Sequence, residues 1–205
     1  MGRQEQTNHL FSNRDLRILL VPLIVEQILN SLMGTADSIM VSNVGSAAIS
    51  AVSLVDSINI LVIQAFYALA AGGTIVCSQY IGQKDKKNAE ESARQLSFVV
   101  ACISSAVMAV CLLTRGPLLR LIFGSVEADV MEAAQTYFFY TALSFPFIAL
   151  YDAGSSIYRA QGNTRLPMTI AVVSNGLNIA GNAVLIWGFH LGVAGAAIAT
   201  VLLRR

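Results

Sequence analysis

The chain has 205 residues, of which 55% are hydrophobic and only 12% are charged, whereas an average soluble domain is about 25% charged. Together with a mean hydropathy of +0.64, this composition indicates an integral membrane protein and argues against a soluble domain. The net charge of +1 gives no strong electrostatic attraction to nucleic acid, so no nucleic-acid partner is predicted.

Five apolar segments are long enough to cross a bilayer, which takes about 20 mainly apolar residues in a helix. A sixth segment, "VAGAAIATVLL" at 193–203, forms about 16 Å of helix and covers roughly half of a bilayer core. It is either a re-entrant segment or the start of a span in a longer protein, and we favour the second interpretation. The five complete spans are predicted at 18–42, 51–81, 93–113, 131–158 and 168–189.

These segments predict an all-α fold, a polytopic transmembrane helix bundle with five complete spans and a partial sixth. We divide the chain into a cytoplasmic N-terminal arm, 1–17, and a transmembrane lobe, 18–205. Lys and Arg are concentrated in the arm and in the loops after spans 2 and 4, and they are absent from the loops after spans 1 and 5. The positive-inside rule therefore predicts a multi-pass protein of the cell membrane with a cytoplasmic N-terminus.

The third span carries its own start signal. Asn88 is followed three residues later by Glu91, a spacing typical of a capping box at the start of a helix. After this span, "GPLLRLIFG" is predicted as an amphipathic turn lying at the outer surface.

Four spans each carry one polar or aromatic face when residues are placed about 100° apart around a helix. Lipid penalises exposed polar groups, so these faces are expected to turn inwards and to meet around a central polar cavity. The faces consist of Glu26, Asn30 and Asp37 in span 1; Ser53, Ser57, Gln64 and Ser78 in span 2; Tyr137, Tyr140, Ser144, Tyr151, Ser155 and Tyr158 in span 4; and Asn175, Asn178 and Asn182 in span 5.

Most of these residues have a simple structural explanation. Serines in membrane helices usually serve packing and hydrogen bonds between helices, and tyrosines near helix ends, such as Tyr137 and Tyr158, fit an interfacial belt. The three asparagines could equally hydrogen-bond to a neighbouring helix or line a site.

The carboxylates are harder to explain structurally, because an Asp inside a membrane costs roughly 2.5–3.5 kcal/mol on insertion scales. No Lys or Arg lies in spans 1, 2 or 5, so we expect a functional role for Asp37. Glu26 has either such a role or a contact with polar loop groups on the cytoplasmic side.

Proline and glycine mark positions where the spans can bend. Pro22 in span 1 and Pro146 in span 4 each remove one backbone hydrogen bond, and Gly72 and Gly73 permit a close approach or a hinge in span 2. A bendable helix that carries a titratable acid is a physical basis for a switch.

Four motifs follow one another along the chain: "PLIVEQILNSLMGTADSIMVSNVG" with "AVSLVDSI", "GGTIVCSQYIGQKDKKNAEESARQ", "YRAQGNTRLPM" and "NGLNIAGNAVLIWGFHLGVAGAAIAT". These motifs resemble those of the multidrug and toxic compound extrusion (MATE) family. Each motif alone is weak, but their order and spacing are specific, and the resemblance covers about residues 15–203.

The resemblance implies two six-helix lobes around a central cleft, of which this sequence would be the N-terminal lobe without most of helix 6. It also implies an exchange of H⁺ or Na⁺ for organic compounds that are amphipathic and often cationic. On the matching positions, Asp37 is the ion-coupling acid, Pro22 is the hinge proline and Asn178 is the span 5 asparagine. Many proton-coupled members carry a second acid one turn later, where this chain has Asn182, and Asp152 is a possible substitute.

The resulting hypothesis is a secondary active antiporter with no cofactor apart from its coupling ion. Its predicted partners are the lipid bilayer, small organic substrates and a C-terminal lobe that this chain lacks. The predicted site has Asp37, Asn178 and Asn182 for ion coupling, Pro22 as the hinge, and a substrate cavity lined by Glu26, Asn30, Gln64, Tyr140, Asp152 and Asn175.

Two alternatives remain open at this point. The chain could be an inactive fragment or a half-transporter that needs a second lobe, or it could be a lipid-linked sugar flippase of the same superfamily. The spans lack the cluster of Arg or Lys expected of such a flippase. An enzyme has little support, because His9 and His190 come with no metal-binding spacing or nucleophile motif.

Overall fold

The computed structural model describes residues 13–42, 46–124 and 126–182, and all regular structure in these ranges is helical. The all-α prediction is therefore confirmed. The helices are α1 (Asn13–Ser42), α2 (Ser46–Gly82), α3 (Lys86–Phe123), α4 (Ala128–Leu143), α5 (Phe145–Ala160) and α6 (Arg165–Asn182).

Helices α1, α2 and α6 correspond to predicted spans 1, 2 and 5, and each begins earlier than predicted. Helix α1 starts at Asn13, inside the predicted arm 1–17, and α2 starts at Ser46. Helix α6 starts at Arg165 and is described to Asn182. The rest of span 5 and the sixth apolar segment at 193–203 lie outside the described residues.

Helix α3 differs from its prediction at both ends. Its N-cap is Asp85, whose Oδ1 accepts from the backbone N–H of Asn88 over 3.2 Å, so the predicted capping box at Asn88 is wrong. Glu91 instead accepts hydrogen bonds from Arg94 and Gln95.

At its other end, α3 continues through Pro117 to Phe123. The stretch predicted as an amphipathic surface turn is therefore helical. Gly124, which has a φ of 63°, follows the helix and bonds back to the carbonyl of Arg120.

Predicted span 4 is two helices rather than one. Helix α4 ends at Leu143, α5 begins at Phe145, and Ser144 separates them. The interruption is explained by Pro146, which has no N–H to donate to the carbonyl of Ala142 in the preceding turn. Ser144 itself keeps a helical conformation, with φ −80° and ψ −13°. The hydroxyl of Ser144 donates to the carbonyl of Thr141 over 2.7 Å.

The core lies around α2, which packs against α3, α4 and α5, while α1 packs mainly against α6. Phe66 and Phe145 meet edge to face with ring centroids 6.0 Å apart, and Phe138 and Leu119 are completely buried. The outer surface is apolar, with Leu113 and Leu121 each 84% exposed.

Two described segments, Ile49–Gly82 and Lys86–Phe123, are long and apolar enough to cross a membrane. Their apolar outer surface fits a lipid environment, in which helices associate through packing and polar contacts.

Candidate functional site: a polar cavity between α1, α2 and α5

A polar cavity of about 560 Å³ lies between α1, α2 and α5. Each helix contributes charged or polar side chains to its wall, as expected if the polar faces of the spans turn inwards. The wall is formed by Glu26, Gln27 and Ser31 from α1, Ile60, Ile63, Gln64 and Tyr67 from α2, and Asp152 and Arg159 from α5.

Glu26 and Arg159 form a buried ion pair across this cavity. Nη2 of Arg159 donates to Oε1 of Glu26 over 3.0 Å, and the Arg159 and Glu26 side chains are 19% and 4% exposed. Within the part of the chain that the structure describes, Oε2 of Glu26 and Nε of Arg159 have no hydrogen-bond partner. The contact that the sequence left open for Glu26, to a polar group near a span end, is thus made by Arg159.

Asp152 places a second carboxylate on the same cavity wall. It lies on α5 about two turns before Arg159, and its side chain is buried. The described lining therefore contains two carboxylates and one guanidinium, and it carries one net negative charge when all three groups are ionised. Such a cavity attracts cations and repels anions.

Helix α2 provides the mixed polar and apolar wall. Gln64, a predicted cavity residue, lies there together with Tyr67. The serines predicted on the same inward face behave differently: Ser57 and Ser78 are exposed, and their hydroxyls donate to carbonyls one turn earlier in α2. These in-helix hydrogen bonds satisfy the hydroxyls of Ser57 and Ser78 without a partner on another helix, and the inward orientation of the serine face stays a prediction.

The asparagines of α6 are buried but belong to a different part of the bundle. Asn178 is completely buried and Asn175 is 6% exposed, and neither is among the residues that line the described cavity. The prediction of Asn175 as a cavity residue is therefore wrong for this cavity.

Three predicted site residues cannot be placed at the level of their side chains. The side chains of Asn30, Asp37 and Asn182 lie outside the described residues, although their backbones belong to α1 and α6. The roles predicted for these residues stay predictions. Pro22 is buried within α1, one turn before Glu26.

Tyr140, another predicted cavity residue, packs against the hydrophobic core instead. Its ring meets that of Phe139 at a centroid distance of 5.4 Å. Tyr140 belongs to α4, whereas the described cavity is lined by α1, α2 and α5.

A second buried polar cluster joins α2 to α4, and sequence reasoning missed it. Tyr137 is 3% exposed, not interfacial, and its hydroxyl donates to Oδ1 of Asp56 over 3.3 Å. Nδ2 of Asn59 donates to the same oxygen, also over 3.3 Å. The described residues contain no group of three or more His, Cys, Asp or Glu that could hold a metal ion.

The chain matches the MatE family model over residues 22–184. This chain belongs to the MATE family. Members of the MATE family are integral membrane transporters, and the matched region includes every described residue of the polar cavity.

Relatives of this MATE chain come from bacteria and archaea. It is 34% identical over 204 residues to an uncharacterized transporter, YisQ, of Bacillus subtilis, and 28% identical over 198 residues to the probable multidrug resistance protein NorM of Thermotoga maritima. These alignments cover 98% and 93% of this chain but only 43% and 42% of the relatives.

The fold also matches solved MATE-type structures. A transporter of the MOP superfamily from Pyrococcus furiosus superposes with a TM-score of 0.86 at 25% identity, covering 92% of this chain and 41% of that one. The chain therefore spans less than half the length of the relatives it matches.

Arg159 is a cavity residue of this MATE chain that the sequence pattern does not single out. The pattern predicts it as a loop charge that orients the bundle, but it lies in the last turn of α5 and lines the cavity. The sequence does contain one indication of this position. An Arg at the end of a span has a side chain long enough to place its charged group far from its own backbone.

Proposed function

We propose that this chain forms one lobe of a secondary active antiporter that exports amphipathic, often cationic organic compounds in exchange for H⁺ or Na⁺. The observation that carries the proposal is the cavity between α1, α2 and α5, in which Glu26 and Asp152 outnumber Arg159. Intramembrane ionisable groups that face a cavity mark substrate or ion pathways.

The cavity wall suits an amphipathic cation. Asp152 supplies negative charge, Tyr67 supplies an aromatic face that attracts cations, and Ile60 and Ile63 supply apolar surface. Ligand sites typically combine apolar lining with a few converging polar groups. The volume of about 560 Å³ falls within the range of about 300–1,000 Å³ that is usual for such sites.

Ion coupling is assigned to Asp37 with Asn178 and Asn182. Support for this assignment comes from the packing of α1 against α6, the two helices that carry these residues. Binding of H⁺ or Na⁺ neutralises the acid and lowers the free energy of a closed, dry lobe, whereas the charged acid favours an open cavity. Alternation between these two states couples the ion gradient to export.

The proposed transporter has two lobes and lies in the cell membrane with its N-terminus in the cytoplasm. The basic residues of the N-terminal arm, those at the α2–α3 connection (Lys84, Lys86 and Lys87), and Arg159 and Arg165 at the helix ends that flank the α5–α6 connection support this orientation. Relatives more than twice as long as the matched region support a second, C-terminal lobe that completes the substrate cleft.

Binding of a lipophilic organic cation to the purified protein tests the proposal. We expect Asp152→Asn to weaken binding of tetraphenylphosphonium by about tenfold. This loss of affinity is smaller than that for a fully buried charge pair, because the cavity is open to water and water weakens the attraction. Asp129→Asn is the matched control, since Asp129 is exposed at the start of α4. Equal binding by the two variants would argue against the cavity as the substrate site.

A further inference from the structure

Helix α1 contacts the corner between α5 and α6 on both sides of Pro22. Residues 159–164 form this corner, which we call the α5–α6 corner. One contact lies four residues before the proline, at Ile18, and the other lies four residues after it, at Glu26. Eight residues of helix separate the two contacts by about 12 Å.

The first contact satisfies a backbone group that Pro22 leaves without its helical partner. Proline has no N–H, so the carbonyl of Ile18 cannot accept the usual bond from position 22. The hydroxyl of Thr164 donates to this carbonyl over 3.3 Å. Thr164 is 3% exposed and the bond itself is partly buried, so the Thr164 hydroxyl gives this carbonyl a donor that α1 cannot provide.

Thr164 is available for this contact because another residue caps α6. A Thr immediately before a helix usually accepts a hydrogen bond from the first turn of that helix. Here Oδ1 of Asn163 accepts from the N–H of Leu166 over 3.3 Å. The hydroxyl of Thr164 can therefore donate to α1.

The second contact is the ion pair of Glu26 with Arg159, and the α5–α6 corner links the two contacts rigidly. Gly162 has a φ of 78°, a conformation that glycine adopts without strain. Its N–H bonds to the carbonyl of Arg159 over 2.9 Å, and the N–H of Asn163 bonds to the carbonyl of Tyr158 over 3.0 Å. This hydrogen-bonded turn fixes Arg159 and Thr164 relative to each other.

We propose that Thr164 and Arg159 are positioning residues that hold α1 on the two sides of its proline. Thr164 replaces the donor that Pro22 removes, and Arg159 anchors the next turn through Glu26. Together they set the bend of α1 and thereby the position of the part of α1 that carries Asp37. The consequence for export rests on the proposed transport function, but the position of α1 can be measured without it.

The test measures the distance between α1 and α6 by double electron–electron resonance on the protein expressed from its complete reading frame. Spin labels are placed at Leu32→Cys and Val173→Cys, which are exposed positions on the two helices. Cys77, Cys102 and Cys111 are replaced by alanine, together with every other cysteine of the complete reading frame. We expect Thr164→Val to raise the ratio of displaced to native α1 by about 2- to 12-fold, the effect of one hydrogen bond.

Thr169→Val is the matched control and leaves the distance distribution unchanged. Thr169 is an exposed threonine of α6, and its hydroxyl donates to the carbonyl of Arg165 within the same helix over 2.9 Å. Thr164→Ser keeps the donor and is expected to match the parent protein.

The decisive comparison repeats Thr164→Val together with Pro22→Ala. Alanine restores an N–H that bonds to the carbonyl of Ile18, so the Thr164 hydroxyl becomes dispensable and its removal has no effect. The proposal is overturned if Thr164→Val shifts α1 equally in both backgrounds or in neither. If Thr164→Val alone prevents folding, rescue by Pro22→Ala supports the proposal, and failure of both variants overturns it.

Export kinetics provide a second test, because a general loss of structure would not lower the maximal export rate while leaving substrate affinity unchanged. Thr164→Val is expected to lower the maximal export rate by about 2- to 12-fold while leaving substrate affinity unchanged, because Thr164 does not line the cavity. A change in affinity alone would contradict a positioning role. If the parent protein exports nothing, the proposed transport function fails, whereas the distance measurement still decides the role of Thr164.

Discussion

Removing Arg159 while keeping Glu26 gives the strongest test of the buried ion pair. Glu26 is the more buried partner, with 4% of its side chain exposed, and its only described charge partner is Nη2 of Arg159 at 3.0 Å. Breaking a buried pair on one side typically costs about 3–5 kcal/mol because it leaves an uncompensated charge. Since the Arg159 side chain keeps 19% exposure, we expect Arg159→Gln to cost about 3 kcal/mol of unfolding free energy.

The reverse substitution and the double variant complete a mutant cycle. Glu26→Gln leaves a guanidinium that is partly exposed and can turn towards water, so its expected cost is smaller, about 1–2 kcal/mol. The double variant has no buried charge, and its two amides can hydrogen-bond to each other. We therefore expect the double variant to cost about 2–3 kcal/mol rather than the additive value of about 4–5 kcal/mol, a coupling free energy of about 2 kcal/mol.

The assay is reversible unfolding of the detergent-solubilised protein in increasing dodecyl sulfate, followed by circular dichroism. Glu91→Gln provides the control, because Glu91 is an exposed acid that pairs only with its own helix neighbours. The ion-pair interpretation would be refuted if the two single substitutions were additive in the double variant, since independent sites show no coupling.

Three further predictions follow from local geometry and can be checked in the same unfolding assay. Lys84 has a φ of 60°, so Lys84→Gly should stabilise the protein by about 0.5–1 kcal/mol while Gln83→Gly destabilises it; equal effects would contradict this. Asp85→Ala removes the N-cap of α3 and should cost about 1 kcal/mol; no loss would mean that the cap is redundant. Phe138→Ala empties a completely buried position and should cost about 3 kcal/mol, and a neutral result would place Phe138 outside the packed core.

The fold was largely predictable from the sequence, because the length of an apolar segment is a strong signal when the solvent is a bilayer. The ends of the helices were not predictable to the same degree. Asp85 and Asn88 are both residue types that cap helices, and only the structure shows that Asp85 is the N-cap of α3. Pro146 predicts a bend, and the structure shows its extent, a one-residue interruption at Ser144 between α4 and α5.

The site was predictable where a single residue was conspicuous. Glu26, Gln64 and Asp152 lie on the cavity, and the two acids were visible as charges in an apolar context. The pairing of Glu26 with Arg159 joins residues 133 positions apart, a relation that helical periodicity cannot reveal. The contact of Thr164 with α1 was missed for the same reason, and the placements of Asn175 and Tyr140 failed because angles around one helix do not identify the neighbouring helix.

The central claim is that the charge state of Asp37 drives export. Measurement of ion-driven transport tests this claim directly. The protein from the complete reading frame is reconstituted in liposomes, and uptake of an organic cation is followed after a pH or Na⁺ gradient is imposed. The account predicts that Asp37→Asn still inserts and binds the cation but that neither gradient drives its transport. Gradient-driven transport by Asp37→Asn at the parent rate would contradict the account.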